Sequence, residues 1–152
     1  MSELLYFEDF PVGNVSTFGA YEVTMDEIKA FAGEFDPQPF HLDEAAGARS
    51  IAGALSASGW HTTAMCMRMM YDGYIGQTAS MGSPGVDEVK WLKPVFPSDI
   101  LSMRRTTLEA RVSASRPEMG IIRSHWQVLD QNGEIKLEMT GYSLVRVRGA
   151  GS

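Results

Sequence analysis

The chain has one cysteine, Cys66, among its 152 residues. That excludes an intrachain disulfide and leaves stability to a hydrophobic core, which a chain of this length can bury. Histidine is sparse as well. His41, His61 and His125 stand 20 residues or more apart, a spacing that suggests no metal site. Positive charge is not in excess. The formal net charge is -6, whereas a general role in holding nucleic acid calls for a basic surface. A small polyanionic ligand stays compatible, because it needs only a few local cations. The richest apolar stretch, residues 54–71, is broken by Ser56, Ser58, His61, Thr62, Thr63 and Arg68, so it does not read as a membrane span. The first ten residues are acidic and lack the basic-then-apolar order of a secretory signal, so cytoplasmic residence is expected. There is no Gly-x-Ser-x-Gly segment and no glycine-rich nucleotide loop after a strand, and Cys66 lies within an apolar helix. The sequence therefore offers little as a nucleophile.

What is present is the balance of a folded globular protein, with 44% apolar and 21% charged residues. One domain is expected over residues 1–148, with residues 149–152 as a disordered tail. The first half reads mainly helical. Thr24 followed by Glu27 is a capping-box pattern, and Ile28, Phe31 and Ala32 recur at helical spacing. Pro37 and Pro39 then forbid an ordinary helix and predict a stiff loop from Asp36 to His41. Asp43 suits the cap of a short helix over residues 44–48. A longer helix over residues 56–71 is apolar or small on nearly every face, as a mostly buried helix should be.

The second half reads as strands over residues 85–93, 100–112, 121–129 and 134–148, with a further strand over residues 15–23. In the second of these the apolar parity slips between Met103 and Leu108, which predicts a bulge near Thr106. Asn132-Gly133 marks a hairpin turn. The order predicts an α+β architecture, a long central helix wrapped by one curved antiparallel sheet.

The segment Asp36-Pro37-Gln38-Pro39-Phe40-His41 resembles the signature of MaoC-like dehydratases and (R)-specific enoyl-CoA hydratases. That signature is an aspartate, any residue, asparagine, proline, any residue and histidine. Asp36, Pro39 and His41 match it, and Gln38 stands in place of the asparagine. Ala57-Ser58-Gly59 is similar to the family's alanine-histidine-glycine at the start of the central helix, with Ser58 in place of histidine. Residues 89–99 resemble the strand and turn that follow that helix.

The resemblance implies a hotdog fold, an acyl-CoA thioester as substrate, no cofactor, no metal, and a homodimer or dimer of dimers, without nucleic-acid or membrane partners. It also implies roles. His41 takes a proton from water, a task that suits imidazole near neutral pH. Asp36 orients that water and returns a proton. Gly59 offers a helix-terminal N–H to the thioester oxygen. Gln38, Ser58 and Lys93 are expected to contact substrate. The residues alone leave other accounts open for these positions: an Asp-His pair that stabilises a loop, and a glycine needed for packing. Lys90, Lys93, Arg104 and Arg105 suit CoA phosphates, although a solvated sheet face accounts for most of them. Two other functions fit the same fold, a thioesterase and a catalytically silent acyl-thioester binding protein.

Overall fold

The computed structural model describes residues 3–150. The chain opens with a short 3-10 turn, Phe7–Asp9, and strand β1, Val15–Glu22. Three helices follow: α1 over Met25–Phe35, α2 over Pro39–Leu42 and α3 over Glu44–Ala48. Helix α4, Gly59–Gly73, is the central one. The strands β2 (Ser80–Gly82), β3 (Val86–Trp91), β4 (Ile100–Val112), β5 (Met119–Leu129) and β6 (Ile135–Arg146) complete the chain. They form a six-stranded antiparallel sheet in the order β1-β4-β5-β6-β2, and β3 also pairs with β6. This curved sheet around one long helix is the hotdog fold.

Local chemistry explains the element ends. Thr24 Oγ1 accepts the Glu27 N–H at 3.2 Å and starts α1. Asp43 Oδ2 accepts the Ala46 N–H at 2.8 Å and starts α3. The hairpin between β5 and β6 turns at Gly133, whose φ of 78° suits glycine. Asp130 Oδ1 holds that turn by accepting from the N–H groups of Asn132 and Glu134, each at 2.9 Å.

The core forms where α4 meets the sheet. Met65, Cys66, Met69 and Met70 pack with Leu101, Met103, Trp126, Val128 and Leu137. The parity slip in β4 is real, because the β4–β5 register shifts between Thr107 and Glu109. Before the slip, Leu101, Met103, Arg105 and Thr107 all face inward. Arg105 therefore lies on the core face of β4, 2% exposed, and not on a solvated face as expected.

Two other expectations need adjustment. Residues 39–42 form a one-turn helix and not a loop, since a proline at the first helical position loses no hydrogen bond and has a suitable φ. Gly149 and Ala150 close a turn through Ala150 N–H to Val147 O at 3.2 Å. The rest of the expected disordered tail, residues 151–152, lies outside the described residues. No helix among the described residues is long and apolar enough to cross a membrane.

Candidate active site

Asp36 ends α1, where its backbone N–H donates to Ala32 O at 2.8 Å. The single turn of α2 then swings His41 inward until it is 7% exposed. His41 Nδ1 lies 2.6 Å from the Ser56 carbonyl oxygen. A carbonyl only accepts, so Nδ1 carries a proton, and in the neutral ring Nε2 keeps its lone pair. Nε2 in turn sits 3.5 Å from Asp36 Oδ2.

Two further groups hold Asp36. Gln38 Nε2 donates to Oδ1 at 2.7 Å. The Ser58 hydroxyl beside the carboxylate is the main reason that the Asp36 pKa falls below its ordinary value of 3.8. Gln38 and His41 push in the same direction, against the effect of partial burial. Asp36 is therefore a carboxylate at neutral pH. With the ring neutral, the site presents two acceptors, Nε2 and Oδ2, 3.5 Å apart.

Ser58 also caps α4, its Oγ accepting the Trp60 N–H at 3.2 Å. Gly59 opens the helix, and its N–H meets no protein acceptor among the described residues. That donor points out of a helix N-terminus, where negative charge is favoured. Glycine here also serves packing. The Trp91 indole lies on it so closely that a Cβ would stand 2.4 Å from Trp91 Cδ2. Trp91 Nε1 donates to Thr63 Oγ1 at 3.0 Å, and that hydroxyl donates to Gly59 O at 3.0 Å.

Asp36, Gln38, His41, Ser58 and Gly59 therefore gather at the start of α4. Lys93 stands beside them in a shallow groove of about 230 Å³, also lined by Gly59 and Trp91. Its ammonium pairs with Glu134. The same groove touches Lys136, a buried cation that donates to Pro94 O at 2.9 Å and lies 3.6 Å from Asp130 and 3.8 Å from Asp99.

A larger, mostly apolar cavity of about 280 Å³ runs along α4 from Thr63 through Met67 and Met70 to Tyr74, against the sheet. Arg105 lines it. Sequence reading grouped Arg105 with surface cations, and it gave no hint of the Ser56 carbonyl, since every residue carries one. Cys66 stays chemically quiet because burial pushes its thiol up to about 12.

Comparison with known proteins agrees with the fold. Residues 10–123 match the family described as the MaoC like domain. The uncharacterised protein YdeM of Bacillus subtilis is 31% identical over 116 residues, covering 76% of this chain and 80% of YdeM. A MaoC-like dehydratase from Rhodospirillum rubrum superposes with a TM-score of 0.85 at 39% identity, covering 95% of this chain and 98% of that one. The (R)-hydratase PhaJ1 from Pseudomonas aeruginosa shares the fold, with a TM-score of 0.71 at 17% identity over 98% of this chain and 94% of its own.

Proposed function

This chain belongs to the MaoC-like domain family, and from that premise we propose that it hydrates 2-enoyl-CoA thioesters and dehydrates the corresponding 3-hydroxyacyl thioesters. One observation carries the reading: His41 Nε2 faces Asp36 Oδ2 at 3.5 Å, with Nδ1 held from behind by Ser56 O at 2.6 Å.

In the proposed reaction, water donates to both groups and its oxygen bonds to the β-carbon. His41 takes one proton through Nε2. The carboxylate of Asp36 stabilises the imidazolium that results. Electrons of the double bond move toward the thioester oxygen, which takes on enolate charge and is met by the Gly59 N–H. The proton held between Nε2 and Oδ2 then passes to the α-carbon. Both additions come from one side, so the addition is syn. Gln38 and Ser58 act by holding the Asp36 carboxylate in place and ionised, and Lys93 serves the polar part of the thioester at the groove.

The working form is proposed to be a homodimer or larger. Trp60 and Tyr71 on α4, and Val86, Trp91 and Leu92 at or beside β3, are exposed large apolar side chains. β3 lies at one edge of the sheet, and such an edge invites pairing. The experiment for the reaction is to offer the purified protein a panel of 2-enoyl-CoAs, following loss of the conjugated double bond and release of free thiol separately. Hydration without thiol release supports the proposal. Thiol release alone would make the protein a thioesterase, and neither signal would make it a binding protein.

A further inference from the structure

Among the described residues one lysine and one arginine are buried, Lys136 and Arg105, and they are treated differently. Lys136 has Asp99 and Asp130 within 4 Å and donates to a carbonyl. Arg105, 2% exposed, meets no carboxylate among the described residues. Its Nη1 donates to Thr107 Oγ1 at 2.8 Å and its Nη2 to Asn14 Oδ1 at 2.6 Å. Its Nε is buried without a hydrogen-bond partner. The rings of Phe10 and Tyr74 stand 4.9 and 5.3 Å from the guanidinium carbon and offer partial compensation. Guanidinium has five N–H donors and keeps its charge inside proteins, so this arrangement holds a full charge and spare donors out of water.

The position of that charge gives it a use. Arg105 lines the cavity along α4. At a rise of 1.5 Å per residue, the helix between Thr63 and Tyr74 measures about 16 Å. Thr63 is hydrogen-bonded to Gly59 O, so the near end of the cavity begins one turn from the proposed thioester site. Met70, Ile122, Trp126, Met139 and Val145 make the walls apolar. Ser124, opposite Thr107 in the β4–β5 ladder, adds a hydroxyl to the same cavity.

We propose that the cavity selects acyl chains that end in a carboxylate, with Arg105 binding that distal group through its spare N–H donors. The acyl methylenes lie along the apolar walls. The single negative charge neutralises the single cation, which also fits a cavity whose lining contains no second cation. Burial already lowers the Arg105 pKa from its ordinary value, and a bound carboxylate would oppose that shift. The proposal rests on the hydratase reading for the thioester's position.

The test is equilibrium binding, independent of turnover. Succinyl-, adipoyl-, suberoyl- and sebacoyl-CoA are titrated calorimetrically into the full chain, each against its monocarboxylic counterpart from butyryl- to decanoyl-CoA. At the chain length that spans the cavity, the ω-carboxyl ester should bind about tenfold tighter or better, as expected for a charge-assisted hydrogen bond. Arg105→Met should abolish that ratio, and Arg105→Lys should keep part of it. Equal affinities across every pair in the parent protein would overturn the proposal, whether or not the variants fold. So would a folded Arg105→Met protein that retained the parent ratio. If the ω-carboxyl preference held but no enoyl ester were hydrated, the hydratase reading would fail and the Arg105 site would stand.

Discussion

His41 and Asp36 meet through Nε2 and Oδ2 at 3.5 Å, while the far nitrogen of the same ring is tied to a backbone carbonyl at 2.6 Å. The two contacts together decide the chemistry. Because Nδ1 donates to Ser56 O, the neutral ring has only an acceptor, Nε2, to present toward the carboxylate. The pair is therefore poised to receive protons from water.

Ser58 should set the acid limit of activity. Its hydroxyl is the leading cause of the lowered Asp36 pKa. Ser58→Ala should raise that pKa toward 3.8, so the part of the pH–rate profile that reports Asp36 protonation should move up. The same change removes the α4 cap and should cost about 1 kcal/mol of stability. An unchanged acid limb would show that Ser58 is only a cap.

Asp36 should also leave a mark on stability against pH. Its folded pKa lies below the unfolded value, so its contribution is fully present above the unfolded pKa and is lost as pH falls through the folded one. Melting temperatures of the parent and of Asp36→Asn should therefore converge on acidification through and below the ordinary carboxylate range. A gap that widened there would contradict the direction of the shift.

Gly59→Ala keeps the backbone N–H but adds a Cβ that should hold the thioester oxygen away from it, lowering turnover in a folded protein by about a hundredfold to a thousandfold, the usual cost of a lost oxyanion contact. It must also displace Trp91, whose indole would lie 2.4 Å from the new Cβ. Tryptophan fluorescence should report that movement. Adding Trp91→Ala separates the two effects. If the double variant regained parent turnover, the displaced indole would be the cause and the oxyanion site would lie elsewhere.

The exposed apolar side chains of α4 and β3 should be covered in solution. Light scattering at micromolar concentration should give a dimer or larger species, and Trp60→Asp should shift it toward the monomer. A stable parent monomer would contradict a shared active form.

Much of this was legible in the residues. β4 was readable end to end, because its apolar alternation is regular and its one slip marks the bulge. The caps at Thr24 and Asp43 were readable because capping is local. Tertiary partners overrode local signals elsewhere. Glu27 looked like the reciprocal member of a capping box, but its carboxylate instead meets Tyr21 and His61. Arg105 is the instructive case. Beside Arg104 it reads as part of a solvated basic pair, yet strand parity sets it on the face of Leu101 and Met103. The signal lay in β4 itself, since Leu101 and Met103 mark the buried face and Arg105 shares their parity.

The central claim, that Asp36 and His41 act as one unit on water, is tested most directly by 2-enoyl-CoA hydration in the parent, Asp36→Asn, His41→Ala and the double variant. Each single change should lower turnover by about a hundredfold to ten-thousandfold, leaving the ester bound and the protein folded. The double variant should be little worse than either, because groups serving one step are not additive. Hydration that survived His41→Ala at near the parent rate would contradict the account.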